Sequence, residues 1–202
     1  MSRIYKERNL WETLKTAFPY IRSRLLFPSS RFVRFPIYIR GKKYIDFGHG
    51  LTTGVGCRLE AFRLVDRSRP ILKFGDRVQI NDYVHICAME SVEIGNDVLM
   101  ASHVYISDNS HGFYKDGIEG SNPDVPPIER EYSTSPVVVE DNVWVGEGVM
   151  ILPGVRIGKG AIVGAHSVVN RDIPDQCIAA GSPARIIKRY NKVSGQWEKV
   201  ND

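Results

Sequence analysis

An all-β fold, a parallel β-helix of hexapeptide repeats, is what the sequence predicts, and three observations carry the prediction. Between Val139 and Pro174, aliphatic residues recur every six positions, at Val139, Val145, Ile151, Ile157, Val163 and Val169. Four residues after each stands Val143, Val149, Val155, Ala161, Ser167 or Ile173, with turn formers such as Asp141-Asn142, Pro153-Gly154 and Lys159-Gly160 between. A step of six would scatter side chains around a helix; in extended chain, where the side-chain period is two, it sends them all to one face. The same step returns upstream at Phe74, Ile80 and Ile86, and again at Ile94, Met100 and Ile106, after a slip of two residues across Glu90 to Glu93 that implies a bulge or a longer corner. A short fixed period of this kind makes each unit one short side of a coil and stacks its aliphatic residues down the axis.

Taken in order, the chain opens on a helical signal. Leu10, Trp11, Leu14, Ala17 and Phe18 have helical spacing, and Asn9 with Glu12 three residues on forms a capping-box pattern, so a short amphipathic helix is expected to end at Pro19. Residues 20–43 alternate aromatic and arginine residues. Residues 1–43 hold 11 Lys or Arg against Glu7 and Glu12, a balance of +9, while the whole chain carries only +4. This N-terminal segment reads as a cap over the first coil, or as a basic, aromatic face for anionic lipid. Residues 44–63 look like a degenerate first coil, with Ile45, Leu51 and Cys57 in a loose six-residue step. The period stops after Ile106 and restarts at Val139. The stretch 107–136, rich in Gly, Pro, Asn and Ser, reads as a loop ejected from the coil, and loops of this length in compact domains are often functional. Past Pro174 the chain leaves the coil, and Ser182 with Pro183 predicts a short C-terminal helix. Residues 191–202 form a tail that frays or packs on a neighbour. The expected organisation is a cap at 1–43, a coil domain at 44–190 and the tail.

With 202 residues, 43% of them apolar, the chain suits one well-packed domain. Cys57, Cys87 and Cys177 are odd in number and follow no metal or CxxC spacing, which argues against a disulfide framework and fits a reducing cytoplasm. Cys87 falls at a small-residue position, where packing in the core is expected. No apolar run approaches the length of a membrane span, and no secretion signal is visible. No nucleic-acid-binding pattern accompanies the basic segment. A cytoplasmic protein, at most resting on the inner face of the membrane, is the expectation.

The units VVVEDNVWVGEGVMILPGVRIGKGAIVGAHSVV and the closing AAGSPARIIKRY resemble the hexapeptide-repeat acyltransferases. Within them the resemblance is to the sugar O-acetyltransferase branch, with its maltose, galactoside, capsule and lipopolysaccharide O-acetyltransferases. It spans residues 45–190. It implies a left-handed coil, a homotrimer, acetyl-CoA as donor, no metal, and a sugar hydroxyl as acceptor, on a nucleotide-linked, lipid-linked or oligosaccharide substrate.

Acyl transfer from a thioester to a hydroxyl needs a base for the hydroxyl proton, donors for the oxyanion and a slot for the carrier. Of the five histidines, His49 lies in the irregular first coil, His85 and His103 on polar faces, His166 at a turn corner and His111 on the ejected loop. By itself a loop histidine reads as a solvated side chain. The segment ISDNSHGFY, however, resembles the family's catalytic-histidine loop, and the resemblance assigns the general base to His111. Asp108 would orient it or bind the acceptor. Asn81, Tyr83 and His85 occupy the positions where the family meets its acceptor, but Ala88-Met89 stand where maltose and galactoside acetyltransferases carry acidic residues, which implies a different acceptor. For the carrier, the family's contact positions are matched by Trp144, Ala165, Asn170, Arg171, Arg185 and Lys188. Competing readings are an N-acetyltransferase of a nucleotide-linked amino sugar, a metal-dependent carbonic anhydrase on the same coil, for which His85 and His103 stand at unsuited positions, and a non-catalytic scaffold.

Overall fold

The structure, a computed structural model, describes residues 10–62, 69–115 and 119–200. Helix α1 (Leu10–Leu26) leads into a succession of short strands. A first pass comprises β1 (Tyr38–Arg40), β2 (Ile45–Asp46), β3 (Thr52–Thr53) and β4 (Arg58–Ala61), and a second β5 (Leu72–Phe74), β6 (Gln79–Ile80) and β7 (His85–Ala88). A third pass follows through β8 (Val92–Ile94), β9 (Leu99–Met100) and β10 (Tyr105–Ser107). A hairpin, β11 (Asn109–His111) with β12 (Tyr132–Thr134), interrupts the winding. It resumes in β13 (Val137–Val139), β14 (Trp144–Val145), β15 (Met150–Ile151), β16 (Arg156–Ile157), β17 (Ile162–Val163), β18 (Val168–Val169) and β19 (Cys177–Gly181). The antiparallel strands β20 (Ala184–Asn191) and β21 (Gln196–Lys199) close the chain.

These strands form three sheets that the chain visits in rotation. The first holds β2, β5, β8, β13 and β16; the second β3, β6, β9, β14, β17 and β19, extended by β20 and β21; the third β1, β4, β7, β10, β15 and β18. Within the rotation all pairings are parallel, so each pass lays one strand on the edge of every sheet. The six-residue step explains the winding. All six aliphatic lead positions from Val139 to Val169, and all six small or aliphatic partners from Val143 to Ile173, are buried. At the fourth position of the first five units the backbone turns with positive φ, at Asn142, Gly148, Gly154, Gly160 and His166, which is why Gly and Asn recur there. The two-residue slip is a wider corner between β7 and β8, at Met89–Ser91.

Three expectations need correction. The helix does not stop at Pro19 but runs through it to Leu26. A proline removes one helical hydrogen bond, and tertiary anchors beyond it hold the remainder: Ser23 Oγ accepts from Val33 N at 2.6 Å, and Phe27 packs edge-on to Phe47 at 5.3 Å. The capping-box Asn9 lies outside the described residues. The expected C-terminal helix is strand β20, and the expected tail contains β21. Pairing with the free edge of β19 outweighs a local capping signal, and the alternating exposure of Ala184 to Arg189 follows the strand period of two. Finally, Cys87 does not enter the core, because Ile86 and Ala88 take the inward positions of β7 and leave Cys87 facing out.

Candidate active site

His111 stands at the end of β11, where the chain leaves the corner between the third and first sheets. Its backbone pairs with Tyr132, and the two rings lie 4.5 Å apart. Nδ1 of His111 is 3.1 Å from the carbonyl oxygen of Pro127. A carbonyl only accepts, so Nδ1 carries the proton and, in the neutral ring, the lone pair sits on Nε2. Arg130 holds the far side of the loop, donating to the carbonyls of Val125 (2.8 Å) and Pro123 (3.1 Å) and to the Tyr114 hydroxyl (2.8 Å), which itself donates to the carbonyl of His111. Arg130 and Tyr132 therefore fix the histidine. They escaped the sequence reading because an aperiodic stretch gives no signal for which residues pair across it.

Asp108 does not orient His111. Its side chain is buried, and its carboxylate accepts from the amides of Met89, Glu90 and Ser91 at 2.7 to 3.1 Å and from Asn109 Nδ2 at 3.0 Å. The carboxylate thereby satisfies the backbone donors of the wide corner after β7, and the loop's first residue is tied to the coil it leaves. Asn109 reaches back over the outward Cys87, with Nδ2 3.5 Å from its sulfur.

The residues expected to meet the acceptor are spread over two places. Asn81 and Tyr83 lie at the corner between the second and third sheets, where Tyr83 stacks on His103 with ring centroids 5.1 Å apart. His85 is on the outward face of the third sheet, one strand from β10 and hence nearer His111. The structure therefore separates Asn81 and Tyr83 from His111 by the width of that sheet.

The residues expected to hold the donor also divide. Leu99, Trp144, Ile162, Ile178 and Lys188 are successive register partners across the second sheet. Trp144 is 51% exposed and the two isoleucines are half-buried, giving an apolar track that ends on Lys188. Arg185, opposite Ala180, adds a second cation at that end. Ala165 sits at the adjoining corner, packed so closely against Gly146 that a Cβ on the glycine would stand 2.7 Å from its amide nitrogen. An apolar track with a basic end fits a pantetheine arm and its phosphates. Asn170 and Arg171, by contrast, follow β18 at the corner between the third and first sheets. That is the hairpin's corner, where Gly154 N donates to Ser135 O at 3.0 Å. In a three-sided coil this corner is opposite the second sheet.

Burial disfavours the thiolate form at all three cysteines. Burial pushes Cys57 up to about 11, with its sulfur 3.1 Å from the Asn81 carbonyl, and burial raises Cys87 and Cys177 as well. Among the described residues no group of three or more His, Cys, Asp or Glu is placed to hold a metal ion.

Comparison with known proteins adds four findings. Residues 136–171 match the model of the bacterial transferase hexapeptide (six repeats). The chain is 47% identical over 178 residues, 88% of either chain, to WbbJ of Escherichia coli (strain K12), whose name places it in lipopolysaccharide biosynthesis as an O-acetyl transferase. It is 34% identical over 118 residues, 58% of this chain and 53% of the other, to the galactoside O-acetyltransferase of Lactococcus lactis subsp. lactis (strain IL1403). Among solved structures, a hexapeptide-repeat-containing acetyltransferase of Vibrio cholerae O1 biovar eltor complexed with acetyl coenzyme A superposes with a TM-score of 0.54 at 25% identity, covering 88% of this chain and 79% of that one.

Proposed function

Because the chain belongs to the hexapeptide-repeat acyltransferases, as 47% identity across 88% of its length establishes, we propose that it transfers acetyl from acetyl-CoA to a sugar hydroxyl in surface-polysaccharide synthesis, with His111 as the general base. The observation that carries this reading is the fixed tautomer: Nδ1 held by Pro127 O leaves Nε2 as a base on an exposed hairpin. Nε2 takes the proton of the acceptor hydroxyl as its oxygen attacks the thioester carbonyl. The tetrahedral oxyanion collapses, the carbon–sulfur bond breaks, and the imidazolium returns the proton to the departing thiolate. Trp144 and the track beyond it would hold the pantetheine arm, Arg185 and Lys188 its phosphates. The raised cysteine thiols favour this direct transfer over an acyl-cysteine route.

The division of the donor residues between two faces supports a further reading, a homotrimer with left-handed winding, in which the second sheet of one protomer faces the hairpin corner of its neighbour. The basic N-terminal segment is read as a peripheral membrane anchor at the cytoplasmic face, supported by its charge and by the apolar exposure of α1. No helix among the described residues is long and apolar enough to cross a membrane.

The test is His111→Ala. It should keep its melting temperature and its affinity for coenzyme A, while turnover falls about 100-fold or more, the scale of losing a positioned base. Near-normal turnover would overturn the assignment, and lability of the product to mild alkali separates an O-acetyl from an N-acetyl linkage.

A further inference from the structure

The third sheet carries an ion cluster that the transfer chemistry does not use. Glu60, on β4, has its side chain 3% exposed although it points to the outward face. Arg58 pairs with it through Nε (2.7 Å) and Nη2 (2.9 Å), Arg40 approaches at 3.4 Å from β1, and His85 Nε2 lies 2.9 Å away from β7. Desolvation of a buried carboxylate offsets part of the attraction to its partners. What the carboxylate does here is orient guanidinium groups. The bidentate grip on Nε and Nη2 leaves Nη1 of Arg58 outside the pairing, and Arg40 and Arg58 remain 65% and 47% exposed. Among the described residues, two arginines against one carboxylate leave surplus positive charge. Tyr38 and Tyr105 lie on the same face, in register with Arg58 and His85. Strand β10, from whose end the His111 hairpin departs, lies two strand spacings, about 10 Å, from β4.

We propose that Arg40 and Arg58, held by Glu60, bind the phosphate or diphosphate of a glycosyl acceptor whose sugar hydroxyl lies at His111. The proposal rests on the acetyltransferase reading and narrows its acceptor to an anionic glycoside. Fixed guanidinium donors suit phosphate oxygens, and the flanking tyrosine rings offer flat apolar surface to a sugar face.

The test offers the full-length protein, with acetyl-CoA, a panel of hexoses in three forms: free, as nucleoside diphosphate derivatives, and as short-chain prenyl diphosphate derivatives. The proposal expects at least one diphosphate-linked form to exceed the free sugar about ten-fold or more in kcat/KM, and which form does so tells a nucleotide source from a lipid source. Arg40→Ala and Arg58→Lys should each raise KM for that acceptor about ten-fold, the scale of a lost charge-assisted hydrogen bond, without changing KM for acetyl-CoA. Arg40, largely exposed, can be removed without disturbing the fold. Equal use of free and phosphorylated sugars, or a preference that survives both substitutions, overturns the proposal and leaves the acetyltransferase reading intact. If no form is acetylated, the acetyltransferase reading fails instead, and calorimetric titration with inorganic pyrophosphate in saturating coenzyme A decides the site. Binding lost in the Arg40→Ala, Arg58→Lys double variant supports it; absence of binding to the wild type sinks it.

Discussion

Asp108 and His111 lie three residues apart and hold separate partners. An aspartate beside a loop histidine looks the same in sequence whether it faces the imidazole or the backbone; only the fold shows that Met89, Glu90 and Ser91 amides occupy it. Asp108→Ala should therefore act on stability, leaving several part-buried donors unsatisfied at a cost on the order of 3 kcal/mol. Denaturant titration would show it, and a variant as stable as wild type but inactive would return Asp108 to the chemistry. Glu60 gives a pH-dependent counterpart. Burial pushes its carboxyl up, but the hydrogen bonds and charges of Arg58 and His85 outweigh that and leave it below the ordinary glutamate range. A lowered carboxyl stabilises the fold above its unfolded pKa, near 4.5, and loses that contribution as pH falls through the folded value. The stability gap between wild type and Glu60→Gln should therefore be widest at neutral pH and close in acid, as melting temperatures across pH 3 to 7 would reveal; a gap that widens in acid would reverse this assignment.

At the scale of elements, legibility followed periodicity. The repeat from Val139 to Val169 was readable because its step is a multiple of two and each lead residue enters the core. Where no period constrains the chain, local signals misled. Ser182-Pro183 promised a helix but gave way to the edge of β19, and Pro19 promised a stop that Ser23 and Phe27 overrode. The cluster around Glu60 was invisible because it sits where the repeat is degenerate and draws on three strands distant in sequence. Helix α1 shows what such anchoring leaves free. With Ser23 and Phe27 turned inward, Phe18, Ile21 and Leu25 form an outward stripe at 73%, 57% and 77% exposure. Apolar side chains in a segment of +9 are the composition of an interfacial anchor. Anionic liposomes should sediment the protein at low salt and release it as salt screens the basic residues, and Ile21→Glu with Leu25→Glu should abolish sedimentation. Protein that stays in the supernatant with anionic lipid at low salt would assign the stripe to another occupant.

The whole molecule poses a geometric problem that one chain does not solve. His111, Asn170 and Arg171 lie at the corner between the third and first sheets, whereas Trp144, Arg185 and Lys188 lie on or beside the second sheet, with the aliphatic core between. A single ligand contacts both sets only if a neighbouring protomer supplies one of them, and a closed ring of three copies repeats that junction three times. This predicts complementation between two inactive variants. His111→Ala lacks the base and keeps the donor track; Trp144→Ala with Lys188→Ala lacks the track and keeps the base. If the protein is the trimer proposed above, co-expressing them with different tags and purifying through both yields only mixed rings. A ring built from two copies of one kind and one of the other has a single junction joining an intact base to an intact track, whichever kind is in excess. Activity should therefore recover to about one third of the wild type, as cyclic symmetry requires. A site contained within one protomer would give no recovery in any mixture, and light scattering that showed an active monomer would remove the shared junction altogether.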